Sequence, residues 1–151
     1  MISSRRVQVR ELSSDVDIVA AFPLARELRD RIREDTFLAE VRRQQREGYR
    51  LFGGFEGDRL VSLAGVRRSH TLSRGEHLFV DDLVTAEAAR GRGHGAEMLR
   101  ALAALATEDG VPRVYLDARA TARGFYEKLG FTFLTAIPCW IESRVLHRKK
   151  G

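Results

Sequence analysis

The stretch Arg90-Gly91-Arg92-Gly93-His94-Gly95 has residue types and spacing suited to binding an anion. It follows a strand-like run and opens a helix-like one. Glycines at 91, 93 and 95 remove Cβ atoms, so a ligand can approach the backbone closely. The first N–H groups of a helix lack intrahelical partners, and they converge with the positive end of the helix dipole on one point that suits a phosphate. Arg90 and Arg92 add charges that can pair with a diphosphate. No lysine follows the last glycine, so this is not the G-x-x-x-x-G-K-[S/T] loop of a nucleotidase. The glycine spacing also misses the dinucleotide pattern G-x-G-x-x-G, and the strand before it comes late in the chain. Taken by itself, the stretch reads either as an anion-binding loop or as a glycine-rich turn without a ligand.

The elements around the loop follow from periodicity. Val7 and Val9 alternate with polar neighbours as a first strand would. Ser13, Ser14 and Asp15 offer N-caps to a helix in which Val16, Val19, Leu24, Leu28 and Ile32 recur at helical spacing, with Pro23 marking a kink or a restart. A second helix is predicted from about Asp35 to Glu47, with Phe37, Leu38 and Val41 inward and Gly48 as its stop. Tyr49 to Phe55 and Leu60 to Val66 read as strands joined by Glu56-Gly57-Asp58. Ser73-Arg74-Gly75 is a second turn, and His77 to Thr85 a third long strand. A helix from about Gly95 to Asp109 carries Met98, Leu99, Leu102, Leu105 and Ala106 on one face, and Gly110 and Pro112 end it. Val114 to Leu116 reads as a strand, Thr121 to Leu129 as a helix, and Phe131 to Leu134 and Trp140 to Leu146 as strands. The order β-α-α-β-β-β-α-β-α-β-β, with a parallel crossover between residues 77 and 116, gives a mixed α/β fold.

On these residues the sequence resembles the GNAT acetyltransferase superfamily. Residues 90–95 match the family's [R/Q]-x-x-G-x-[G/A] signature, and Gly124-Phe125-Tyr126-Glu127-Lys128-Leu129-Gly130-Phe131 resembles its F-Y-E-K-L-G-F segment. The likeness covers roughly residues 49 to 134; the helices before it agree in order only. It implies a central, mostly antiparallel sheet of about six or seven strands flanked by about four helices, in a single domain over residues 1–151. It also implies an acetyl-CoA-dependent N-acetyltransferase acting by direct attack in a ternary complex. The backbone of Arg90, Gly91, Arg92, Gly93, His94, Gly95 and Ala96 would wrap the coenzyme pyrophosphate, and that of Leu83, Val84 and Thr85 would bond the pantetheine arm, with Phe125 a further cofactor contact. An N–H of the same strand segment can stabilise the tetrahedral oxyanion. Tyr126 stands where many relatives place a tyrosine that protonates the departing thiolate, the alternative being a tyrosine packed in the core.

The attacking amine needs a base. Asp81 and Asp82 lie on the strand before the loop, and adjacent strand residues point to opposite faces, so at most one normally faces the cleft. The resemblance to polyamine-acetylating relatives favours Asp81, with Asp117 at the end of the next strand as second choice. A structural hydrogen bond is the other reading for the aspartates. The sequence departs from the family at Arg119, where many relatives carry an asparagine, and the segment Ala118 to Gly124 is short. His94 reads as a spacer or phosphate neighbour and His77 as a surface residue. His70 and His147 have no metal-ligand pattern, and Cys139 beside Trp140 reads as a packed thiol. No metal is expected.

The chain of 151 residues, 44% hydrophobic and 31% charged, suits one globular domain. No apolar run reaches membrane-spanning length, and Met1 to Val7 lacks the apolar stretch of a secretory signal. The lone cysteine excludes an intramolecular disulfide, so a cytoplasmic enzyme is expected. The net charge of +5 attracts anions in general. Its arginines are scattered and the run His147 to Lys150 reads as a solvated tail, so no specific nucleic-acid partner is expected. The acceptor is a small-molecule or peptide amine, its specificity set by residues 15 to 48 and 134 to 146, and a homodimer through the C-terminal strands is possible. The rival reading is a non-catalytic acyl-CoA-binding regulatory module, against which Tyr126 and the acidic strand argue.

Overall fold

The computed structural model of the chain describes residues 7–149. The stretch Met1 to Arg6 and Lys150 of the basic tail lie outside the described residues. The chain divides into two compact units, Met1–Asp117 and Ala118–Gly151.

The first unit runs β1 (Val7–Glu11), α1 (Asp15–Ala20), α2 (Phe22–Leu28), α3 (Glu34–Arg46), β2 (Tyr49–Glu56), β3 (Arg59–Thr71), β4 (Gly75–Thr85), α4 (His94–Glu108) and β5 (Val114–Leu116). Its strands form one sheet in the order β1-β2-β3-β4-β5. All neighbours are antiparallel except β4 and β5, which run parallel with α4 as their crossover. Ser14 caps α1, its hydroxyl accepting from the Asp17 N–H at 3.1 Å. Pro23 restarts the chain at the beginning of α2, where its missing N–H costs nothing. That restart splits the first expected helix in two. The short α1 turns Ile18 inward and leaves Val16 and Val19 exposed, contrary to the predicted stripe.

Strand alternation gives the sheet two apolar faces. Leu51 and Leu63 pack with Ile18, Phe22, Phe37 and Val41 of the first three helices. Their neighbours Phe52 and Ala64 pack with Met98 and Leu102 of α4. The alternation breaks in β4. Val66 pairs with Val80 and Gly65 with Asp82, so Asp81 is an extra residue, a β-bulge. The parity of the strand therefore reverses: Val80 packs on the α4 face, and Val84 on the opposite one.

The second unit holds α5 (Arg123–Leu129) and α6 (Ser143–Arg148). A single 3-10 turn, Ala120–Ala122, leads directly into α5, so the short segment after Asp117 is taken up as a turn. The expected strands at Phe131 to Leu134 and Trp140 to Leu146 do not form; residues 131–142 carry neither helix nor strand, and Ser143 begins α6. A strand needs a neighbour's ladder. These residues have none among the described residues, and Leu134, Ile137 and Trp140 stay exposed. The sheet thus has five strands rather than six or seven, and the strands expected to carry a homodimer are not present in it. No helix among the described residues is long and apolar enough to cross a membrane.

Candidate active site

The glycine loop opens α4. A 3-10 turn, Glu87–Ala89, leads into it, and Gly93 is the N-cap residue of the helix, with no side-chain cap bond. Gly91 and Gly93 adopt φ of +81° and +84°. A Cβ at either would meet nothing within 4 Å, so the need for glycine is the left-handed backbone itself. No side chain among the described residues caps the first N–H groups of α4. Arg90 and Arg92 are exposed; Arg90 Nε lies 3.4 Å from the Thr85 carbonyl, and Arg92 Nη1 3.7 Å from Glu56 Oε2. His94 differs from expectation. Its ring is buried, with Nε2 3.3 Å from Glu56 Oε2 but poorly aligned, and neither ring nitrogen makes a hydrogen bond among the described residues. A phosphate can therefore meet residue 94 only through its backbone.

Beside the loop, β4 parts from β5. The parallel ladder covers Leu78, Phe79 and Val80 against Val114, Tyr115 and Leu116, and β4 then continues to Thr85 with pairing only to β3. The Ala86 N–H donates to the Val61 carbonyl at 2.8 Å. By antiparallel alternation the backbone groups of Val84 also point to β3, while those of Leu83 and Thr85 point to the side β5 has left. An unpaired strand edge can take an extended ligand as if it were a strand.

The acidic pair is tied down by side chains that sequence reasoning missed. Arg67 Nε and Nη2 donate to Asp81 Oδ2 and Oδ1 at 2.6 and 2.8 Å, occupying both oxygens. Asp82 accepts from Arg29 Nε on Oδ1 at 3.1 Å and from the Tyr49 hydroxyl on Oδ2 at 2.9 Å. Arg29 Nη2 also donates to the Asp81 carbonyl at 3.0 Å. Tyr49 reaches across β3 only because residue 65 is glycine: a Cβ there would lie 1.7 Å from the Tyr49 hydroxyl oxygen. A glycine inside a strand marks such close approaches, and Gly65 is the signal that would have pointed to Tyr49. A cleft of about 360 Å³ opens between α2, α3 and the sheet, lined by Leu28, Ile32, Phe37, Tyr49 and Asp82 among others. Asp82 lines this cleft and Asp81 does not. The bulge has changed which aspartate the strand turns toward this cleft.

Burial, reinforced by the Asp82 charge, pushes the Tyr49 hydroxyl far above the ordinary tyrosine range. In the unfolded chain the group titrates near about pH 10. Its contribution to stability is therefore complete below that pH and is lost as pH rises beyond it. The urea midpoint is expected to fall between about pH 9 and pH 11, and Tyr49→Phe to flatten part of that fall.

In the second unit, Tyr126 is buried in α5, its ring edge-on to Phe125 at 4.9 Å and to Phe131 at 5.2 Å. Gly130, at φ +91°, ends the helix, and the Phe131 N–H reaches back to the Tyr126 carbonyl at 3.1 Å. That is a Schellman closure, and it folds Phe131 onto the tyrosine ring. The hydroxyl has no hydrogen-bond partner among the described residues, and burial raises its pKa. Phe125 and Arg119 are both exposed.

Asp117, just past β5, is exposed. His77 is buried rather than on the surface, with Nδ1 2.9 Å from the Gly75 carbonyl and the ring edge-on to Tyr115, so it is a structural residue. Cys139 is exposed rather than packed. No group of three or more His, Cys, Asp or Glu among the described residues is arranged to hold a metal.

A mixed α/β sheet whose fourth strand keeps one unpaired edge and leads into a helix without a side-chain cap frames the candidate site. The sequence matches the Acetyltransferase (GNAT) family over residues 17–131. It is 30% identical over 131 residues to an uncharacterized N-acetyltransferase, YhdJ, of Bacillus subtilis (strain 168), covering 83% of this chain and 92% of that one. The fold is similar to aminoglycoside N-acetyltransferase AAC(6')-Iy in complex with CoA, with a TM-score of 0.80 at 14% identity over 95% of this chain and 99% of that one. It is also similar to a predicted acetyltransferase with acetyl-CoA from Clostridium acetobutylicum, with a TM-score of 0.70 at 19% identity over 96% of this chain and all of that one. The chain belongs to the GNAT family and is an N-acetyltransferase.

Proposed function

We propose that the chain transfers the acetyl group of acetyl-CoA directly to a small amine in a ternary complex, working as one domain in the cytoplasm. The observation that carries this reading is the free edge of β4 running into the glycine loop at the start of α4. The residues present fit the coenzyme. Backbone N–H groups of residues 91–96, with Arg90 and Arg92, would hold its diphosphate, and the outward groups of Leu83 and Thr85 its pantetheine arm. Acetyl-CoA supplies the acetyl thioester. The chain's own residues align the amine, take its proton and return one to the leaving sulfur.

Asp82 is our candidate to receive the amine proton, directly or through a water. Its Arg29 and Tyr49 partners leave lone pairs free on a carboxylate that offers about four acceptor positions. Asp81 would first have to release Arg67, and Asp117 is the remaining carboxylate candidate. Tyr126 is the candidate acid, supported by its unclaimed hydroxyl.

The test is release of coenzyme A from acetyl-CoA, read with a thiol reagent across small amines, aminoglycosides and peptides. Turnover with one class supports the reading, and failure to bind acetyl-CoA at all overturns it. A left-handed backbone costs a residue with a Cβ on the order of 1–3 kcal/mol. The loop sheds that strain only by leaving the left-handed conformation, so Gly93→Ala is expected to weaken acetyl-CoA binding about tenfold by calorimetry and to lower the melting temperature by a few degrees.

A further inference from the structure

The cleft of the first unit is charged in a way that bears on the acceptor. Three arginines, Arg29, Arg31 and Arg33, line it against two carboxylates, Glu40 and Asp82. Arg29 is committed to Asp82, and Arg33 donates to both oxygens of Asp35 at 3.1 and 2.7 Å. Arg31 is exposed and has no side-chain partner among the described residues. The cleft thus carries an uncommitted guanidinium, Arg31, on the same lining as the Asp82 carboxylate and the apolar side chains of Leu28, Ile32 and Phe37.

We infer that the acceptor is a small amine that also carries an anionic group, a carboxylate or a phosphate, held by Arg31 while its amine is drawn to Asp82. The inference rests on the acetyl-transfer reading above. A guanidinium binds either anion through parallel N–H bonds. A volume of about 360 Å³ suits a small molecule rather than a folded chain. A polycationic amine would meet one uncommitted carboxylate, Glu40, against the uncommitted Arg31, so the lining offers it no net attraction. A simple apolar amine would leave Arg31 without a role.

The experiment takes the full chain loaded with coenzyme A and measures binding by calorimetry, with coenzyme A release from acetyl-CoA as a separate readout. The probes are matched pairs: amino acids with their amides, and hexosamine phosphates with their free sugars, plus a polycationic aminoglycoside. At least one anionic member is expected to bind about tenfold or more tightly than its neutral partner, a gain ordinary for a charge-assisted pair. The type of pair that responds distinguishes carboxylate from phosphate. Arg31→Met is expected to abolish that preference while neutral partners bind as before, which also shows the variant to be folded. Equal or absent binding within every pair, or tightest binding of the aminoglycoside, overturns the inference. Anion preference without coenzyme A release from any preferred compound overturns the assignment of that site to the acceptor; release without anion preference keeps the transfer reading and overturns the inference.

Discussion

Replacing Tyr126 by phenylalanine is expected to lower kcat by about 10²-fold or more while acetyl-CoA affinity changes less than about twofold. The substitution is clean because the ring is held by Phe125 and Phe131, and phenylalanine keeps both edge-on contacts. The hydroxyl makes no hydrogen bond among the described residues, so its removal breaks none of the fold's bonds, and the melting temperature should stay within a degree or two. What is lost is a proton donor for the departing thiolate. Burial raises the Tyr126 pKa, and an acid must be protonated to act. The raised value keeps the proton in place through neutral pH and past the ordinary tyrosine value of about 10. Loss of this proton should therefore add no falling limb to kcat below about pH 10. An unchanged kcat, or affinity falling in step with kcat, would remove Tyr126 from the acid role.

The parts of this site legible in the sequence are those built from local chemistry. The glycine loop announces itself because its left-handed glycines and the start of α4 lie within one stretch. The Tyr126 segment is equally local, since Gly130 and Phe131 close the helix onto the tyrosine four and five residues back. β5 was predicted at its observed bounds, and α4 within one residue, because Gly110 and Pro112 punctuate the chain between them. What stayed hidden depends on pairing. Strand alternation put Asp81 and Asp82 on opposite faces, but it could not show a bulge, which is a property of two strands in register. Tyr49 and Asp82 are 33 residues apart and meet across a third strand. The C-terminal apolar residues have strand-like patterning, yet patterning without a neighbour's ladder leaves them exposed. His77 looked like a surface residue at the start of a strand, and only the fold shows Tyr115 and the Gly75 carbonyl enclosing it.

Gly65→Ala is expected to be the most damaging single-methyl change in the first unit. An added Cβ would lie 1.7, 2.2 and 2.4 Å from three atoms of the Tyr49 ring end, too close for anything but displacement of the ring. That ring is buried and rigid, so the displacement is overpacking of a kind that costs about 1–3 kcal/mol. It also takes the hydroxyl away from Asp82, and a hydrogen bond to a charged group contributes a further 1.5–3 kcal/mol or so. Together these predict a melting temperature lowered by roughly 10 °C for a chain of this length. Tyr49→Phe, which loses the hydroxyl but keeps the ring, should cost only the second part. Tyr49→Leu removes the ring atoms the new methyl would strike, so Gly65→Ala should cost little more in that background. Coenzyme binding should stay nearly intact in the folded fraction, because neither residue belongs to the glycine loop. The acceptor KM should rise, because Asp82 has lost one of the two partners that orient it in the cleft. If instead Gly65→Ala costs as much with leucine at residue 49 as with tyrosine, the glycine is required for some other reason. The Tyr49–Asp82 contact would then not be what fixes the inward carboxylate.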